Sequence, residues 1–360
     1  AIAGAFASRM EGERRWQEEN FDNPLAAHQK KLKESWTRND GLIPTSLKEA
    51  ISTTDWPVTF GDSLYVQFEM LYNQDPRNDW RLISTIYNFA DWTNAIKLVK
   101  TGALANLPVV NQANPYQELS PTTPTEVVEE LDPAKYGGLV KLTMEDIQAD
   151  RMNKIRQIPQ KMAAAAVRTI HEKVWNILES NLLMSDGFAL ISASHANLVT
   201  GSPALAYGAV TDAMQQMRDQ TELGSAKKIG LRAKWLITGT KKENEAEEIV
   251  GSTVKQTAAE DSTVVNYVAK KGVVALSSIG LGLNTTTDKY WWLAASKEDC
   301  PLIAVGFPGG RDRPDIFVQG EGQETQGSVF DADAITFKER LVMGAVAEDH
   351  RGFVGSQAAA

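Results

Sequence analysis

The feature that most restricts the folds open to this chain is a single long amphipathic segment from about residue 144 to 181. Met152, Ile155, Ile158, Met162, Ala166, Ile170, Val174 and Ile177 follow one another at steps of three or four residues. That spacing returns each side chain to one side of an α-helix, so the segment predicts a long helix with a continuous apolar stripe against a core. Pro159 falls inside it; lacking an amide donor and crowding the preceding turn, it predicts a kink or a division into two segments. On the side away from the stripe Lys154, Lys161 and Arg168 recur every seven residues, close to two turns. Between Arg151 and Trp175 there are six Lys or Arg and one acid, Glu172, whereas the whole chain holds 37 basic and 46 acidic residues and a net charge of −9. The acidic total excludes a protein whose whole surface grips nucleic acid. The local basic face has two readings, a solvated surface that aids solubility or a surface turned toward phosphate.

A stripe of this length needs a partner, and the rest of the chain supplies alternating signals. Residues 1 to about 55 are polar and mixed in charge, with isolated aromatics such as Trp16, Phe21 and Trp36, which predicts an arm lying on other surfaces. Folded structure is expected from about residue 58, where short apolar runs are separated by the turn cluster Asp75-Pro76-Arg77-Asn78-Asp79. Between residues 89 and 136 two extended limbs join through Leu119-Ser120-Pro121-Thr122-Thr123-Pro124-Thr125. Proline would interrupt a central sheet, so these limbs predict a projecting hairpin. Leu119, Pro121, Thr122, Thr123 and Pro124 form its candidate tip. The exposed edges of such a hairpin call for cover by another subunit. A strand is expected over 136–143, helices over 211–223 and 241–250, and strands over 235–238, 273–276, 290–293 and 334–343. The last of these is expected to return to the body built on the long helix. The mixture is α+β, and a hydrophobic fraction of 42% suffices for one elaborate domain or two smaller ones.

Residues that carry chemistry are sparse. Cys300 is the single cysteine, which excludes an intrachain disulfide framework and a multi-cysteine zinc site; Glu298 and Asp299 beside it oppose a reactive thiolate. The four histidines, His28, His171, His195 and His350, lack metal-ligand spacing, and no metal or cofactor is expected. His171 reads as an ordinary helix residue. Asp186, Ser194 and His195 lie close together in sequence, which suggests a hydrolase, yet no Gly-x-Ser-x-Gly elbow accompanies them. Gly280-Leu281-Gly282 and Gly320-Glu321-Gly322 complete no dinucleotide or phosphate-loop fingerprint. No stretch approaches the roughly 20 apolar residues of a membrane span, so no membrane partner is expected. The start at Ala1 is compatible with a proteolytic cut or with a trimmed chain.

Several segments, in order, carry a resemblance. Tyr136-Gly137-Gly138-Leu139-Val140-Lys141-Leu142-Thr143-Met144-Glu145-Asp146-Ile147 precedes the helix, and Leu182 to Leu198, with Ser185-Asp186-Gly187-Phe188 inside it, follows. Pro301-Leu302-Ile303-Ala304-Val305, Ile335-Thr336-Phe337-Lys338 and Asp349-His350-Arg351-Gly352-Phe353 close the chain. Together they resemble tailed-bacteriophage major capsid proteins of Hong Kong 97 type, particularly those associated with a prohead protease. The resemblance implies an N-terminal arm (1–57), a first part of the P-domain (58–90), an extended E-loop (91–140), the P-domain with its spine helix (141–200), an A-domain (201–319) and a return to the P-domain (320–360). It implies a structural subunit and not an enzyme, synthesised in the host cytoplasm and assembled into hexamers and pentamers of an icosahedral virion capsid. Implied partners are other copies of the chain, packaged double-stranded DNA held by nonspecific phosphate contacts at Lys154, Lys161 and Arg168, a portal protein, and a decoration or cement protein. Lys97, Lys100 and Lys135 near the E-loop are expected to be ordinary surface lysines, with no covalent crosslink. Rival readings are an encapsulin nanocompartment shell, a soluble hydrolase, and a tail or baseplate protein.

Overall fold

The computed structural model of the chain describes residues 76–100, 104, 106–112, 116, 118–119, 127–143, 154–254, 265–283, 287–310, 312–319 and 334–357. The expected arm lies outside these residues. The chain forms two compact units. The larger holds residues 75–137, 164–315 and 340–360, and the smaller includes 138–163 and 316–339.

A 3-10 turn, Pro76–Leu82, places Trp80 and then Ile83 in the core. The strands and helices follow in chain order: β1 (Ser84–Phe89), β2 (Ile96–Lys100), β3 (Val127–Leu131), β4 (Ala134–Thr143), α1 (Lys154–Glu179), α2 (Tyr207–Asp219), β5 (Ala233–Gly239), α3 (Glu243–Gly251), α4 (Tyr267–Lys270), β6 (Val274–Ser278), β7 (Trp291–Ala295), β8 (Ile303–Pro308), β9 (Asp315–Gln319), β10 (Ala334–Ala347) and β11 (Phe353–Ser356).

One sheet has the order β1-β8-β10-β4, with β9 also paired to β10. Strand β8 is apolar through Ile303-Ala304-Val305-Gly306-Phe307, and all five residues are buried, as a strand covered on both faces requires. On one side β8 pairs in parallel with β1, from Ser84 with Ile303 to Phe89 with Pro308. On the other it pairs antiparallel with β10, where Gly344 faces Gly306. The facing glycines make room for an aromatic ring: a Cβ built on Gly306 would lie 2.5 Å from two ring carbons of Phe89. Phe89, Leu98, Leu131 and Ala304 close this small core.

The base of the expected hairpin is an antiparallel pair, β2 with β3, running from Ile96 opposite Leu131 to Lys100 opposite Val127. The long helix is one unbroken element of 26 residues. Pro159 therefore does not divide it. Proline lies in the second turn, where it removes the bond to the Ile155 carbonyl alone, at a cost of about 3 kcal/mol that the buried stripe beyond it offsets. Within the larger unit that stripe is Ala166, Ile170, Val174 and Ile177, widened by Val167, Trp175 and Leu178, all buried.

The second sheet has the order β11-β7-β5-β6, with β5 and β6 parallel and the other pairs antiparallel. Val210, Met214 and Met217 of α2, Ile249 of α3 and Val268 of α4 join Leu236, Trp291, Leu293 and Val354 of the sheet in one core. Helix α2 ends four residues earlier than its sequence pattern predicts. Thr221 bridges to Lys228, and the Glu222 amide donates to the Lys227 carbonyl, so the backbone after Gln220 is committed to a turn instead of another helical turn.

Candidate functional site

The hairpin limb beyond β2 carries large apolar side chains that the subunit does not cover. Leu107 is 82% exposed, Val109 91% and Tyr116 90%. Of the expected tip residues Leu119 is half-buried. Pro121, Thr122, Thr123 and Pro124 lie outside the described residues.

The base of the hairpin is anchored by buried charge. Strand alternation puts Glu129 on the same side as Leu131, and the residue is 4% exposed. Both its oxygens accept from the Ser185 amide at 3.2 Å, and Oε1 also accepts from the Ser185 hydroxyl at 2.7 Å. Glu129 belongs to no sequence motif, and the signal for it is its two-residue spacing from Leu131. At the end of β2, Lys100 is not an ordinary surface lysine. Its side chain is 14% exposed and its Nζ lies 3.9 Å from Asp349, because the strand delivers it to a buried carboxylate. Arg351 grips the same carboxylate with Nε at 3.0 Å and a terminal nitrogen at 2.7 Å. Burial raises the Asp349 pKa, but the Arg351 hydrogen bond and the Lys100 charge outweigh it and hold the group below the usual carboxylate range. In contrast, Lys97 lies on the surface, 3.7 Å from Glu130 with 67% of its side chain exposed; Lys135 is also exposed.

Asp186 and His195 come together as the hydrolase reading requires, with His195 Nε2 2.7 Å from Asp186 Oδ2. The other ring nitrogen, Nδ1, is 3.1 Å from the Leu190 carbonyl. Both nitrogens thus face oxygen acceptors, and neither is placed to take a proton from Ser194. The third member of the group is His350, whose ring stacks on that of His195 with centroids 4.0 Å apart and planes 7° from parallel. Burial, then the charge of His195, pushes the His350 pKa down to about 4. Burial raises the Asp186 pKa, while the Phe188 amide and His195 lower it by more, leaving it below the usual value. Sequence spacing could not reveal this group, since His350 reaches it from the far end of the chain.

His171 is a buried residue of α1. It is 2% exposed, and Nε2 lies 3.0 Å from Ser278 Oγ and 3.2 Å from Asp79 Oδ1, which links α1 to β6 and to the first 3-10 turn. Burial, with a contribution from Asp349, pushes the Cys300 thiol up to about 12, in line with an inert cysteine. Of the basic positions on α1, Lys161 and Arg168 are exposed, and the side chain of Lys154 lies outside the described residues. Arg168 Nε is 3.9 Å from Glu172, one turn on. No described helix is long and apolar enough to cross a membrane.

Among the described residues, an unbroken 26-residue α-helix, two sheets and a hairpin limb with exposed apolar side chains make up the subunit. The family model described as phage capsid protein matches residues 126–356, and the chain belongs to that family. It is accordingly a capsid shell subunit, located in the virion and assembled with copies of itself. Among solved structures the chain is similar to one from Microbacterium phage Oxtober96, with 8% identity, a TM-score of 0.48, and 77% of this chain and 90% of that one covered. It is similar also to the capsid of the native GTA particle, with 10% identity, a TM-score of 0.49 and coverage of 78% and 89%. The capsid of Myoviridae phage XM1 gives 10% identity, a TM-score of 0.47 and coverage of 77% and 90%. No curated protein sequence matches the chain.

Proposed function

We propose that the chain is the major subunit of the icosahedral head of a tailed phage, divided in the Hong Kong 97 manner and assembled as hexamers and pentamers around double-stranded DNA. The observation that carries this reading, beyond family membership, is the hairpin limb. Leu104, Leu107, Val109, Val110 and Tyr116 are exposed on a segment whose base is pinned by Glu129 and Lys100. A monomer gains nothing by presenting this surface to water, whereas a neighbouring subunit laid under it recovers the burial energy. The limb is then the E-loop; the sheet of β1, β8, β10 and β4 together with α1 is the P-domain, which takes β8 from the segment expected to form the A-domain; and the sheet of β5, β6 and β7, joined by β11 from the segment expected to return to the P-domain, is the A-domain. Lys154, Lys161 and Arg168 of α1 face the packaged DNA and contact phosphate without regard to sequence. A portal protein occupies one vertex, and a cement protein binds the outer surface. Assembly proceeds in the host cytoplasm, and the chain carries no catalytic activity.

Negative-stain electron microscopy of the purified chain tests the reading. Closed shells or six- and five-membered rings are expected, and a persistent small oligomer would refute it. Nucleic acid extracted from closed particles separates a phage head from a nanocompartment filled with protein. For the basic face, replacing Lys154, Lys161 and Arg168 with Gln is expected to lower DNA retention while shells still form; unchanged retention removes α1 from the DNA surface.

A further inference from the structure

The group of Asp186, His195 and His350 is not used by any assembly contact described above, and its donor atoms lie close enough together to share an ion. One ligand atom from each residue lies within 4.8 Å of the other two. Two imidazole nitrogens and one carboxylate oxygen are a donor set suited to zinc and its first-row neighbours, with a fourth position for water. The groups around them orient the ligands as outer partners do in metal sites. His195 Nδ1 faces the Leu190 carbonyl at 3.1 Å, so Nδ1 carries the proton and Nε2 is the nitrogen left to coordinate. Asp186 Oδ1 accepts from the Phe188 amide at 2.9 Å, which leaves Oδ2 aimed at His195. Asn197, fully buried, donates to the Leu190 carbonyl at 2.8 Å and to the His350 carbonyl at 3.1 Å, and thereby ties the backbone beneath one histidine to that of the other. No described residue hydrogen-bonds to the His350 ring. The nearby cations Lys100 and Arg351 are engaged with Asp349, so Asp186 supplies the uncompensated negative charge.

We propose that Asp186, His195 and His350 bind one divalent first-row transition-metal ion in each subunit. The ion sits between His195 Nε2 and Asp186 Oδ2, and Nδ1 keeps its proton, donated to the Leu190 carbonyl. The stacked rings hold their in-plane lone pairs side by side, so His350 turns about its side-chain bonds to complete the site; no hydrogen bond to a described residue resists that turn. The bound ion joins the loop after α1 to the turn before β11, segments that are 164 residues apart at Asp186 and His350.

Cobalt(II) and zinc(II) titrations of the full-length chain test the proposal, with visible absorption reporting the cobalt environment and equilibrium dialysis giving the number of ions bound. One cobalt ion per chain is expected, with ligand-field bands of a nitrogen- and oxygen-ligated ion that zinc displaces. His350→Gln and Asp186→Asn are each expected to weaken binding at least 10-fold, an effect no smaller than outer-partner mutations produce in known sites. His28→Gln is expected to bind as the parent does. His350→Gln lies at a half-buried position, and its far-ultraviolet circular dichroism is recorded alongside to show that it folds. Absence of saturable binding in the parent chain overturns the proposal, as does undiminished binding in folded His350→Gln and Asp186→Asn. If Asp186→Asn alone fails to fold, His350→Gln decides.

Discussion

The Glu129 to Ser185 latch should behave as a coupled pair, and the coupling can be worked out from its geometry. The carboxylate is buried on β3, accepts the Ser185 hydroxyl at 2.7 Å, and shares the Ser185 amide between its two oxygens at 3.2 Å. Hydrogen bonds to a charged acceptor are worth about 1.5–3 kcal/mol, toward the low end here because Ser185 itself is exposed and rehydrates when released. Ser185→Ala removes the hydroxyl bond and keeps the amide bond, so about 1–2 kcal/mol is lost. Glu129→Ala removes both bonds and leaves a void beside Leu131, for a loss of roughly 2–4 kcal/mol. In the double variant the hydroxyl has no partner left to lose. Its cost should match Glu129→Ala alone, giving a coupling energy of about 1–2 kcal/mol. The assay is urea unfolding of unassembled subunits, with all four members of the cycle measured together. Additivity to within about 0.5 kcal/mol would show that the two residues act independently and that the latch does not hold the hairpin base.

Other perturbations probe different parts of the fold. Gly306→Ala drives a Cβ into the Phe89 ring and should cost about 1–3 kcal/mol in the same unfolding assay, with partial rescue by Phe89→Leu. Burial pushes the Glu339 carboxyl up to about 7 from an ordinary value of 4.5. The folded chain therefore binds more protons than the unfolded one between those values. This group's contribution is fully present below pH 4.5 and is lost as pH rises through 7, and Glu339→Gln should flatten that decline in a stability-against-pH series. Leu107→Asp and Tyr116→Asp, at positions 82% and 90% exposed, should leave subunit stability within about 0.5 kcal/mol while lowering the yield of shells. A large loss of subunit stability would place these side chains in an internal core instead.

Local pattern made the elements of this fold legible, and long-range pairing decided what they build. The three-and-four spacing from Ile155 to Ile177 identified α1, because a helix writes its buried face into neighbouring residues. Short apolar runs likewise placed β5 and β7 to within a few residues. Nothing local announces that Ser84 will lie beside Ile303 in a parallel pair, or that Phe353 will pair with Ala294. Each strand says only that it needs an edge. The same limit explains the polar groups. Asp186 and His195 were visible as neighbours in sequence, yet the group they form includes His350, which the turn before β11 brings back from the far end of the chain. Lys100 looked like a surface lysine for the same reason, since the carboxylate that buries it belongs to Asp349. Pro159 shows the opposite case, a local rule overruled. One missing hydrogen bond costs about 3 kcal/mol, while each fully buried side chain of the stripe returns about 1.5–3 kcal/mol, so two or three of them outweigh the proline and the helix continues. The balance also sets where this fold tolerates change. Positions whose partner is a neighbour in sequence lose one local contact, whereas Glu129, Gly306 and Asp349 each touch residues far away in the chain, so a change there loosens a join between segments.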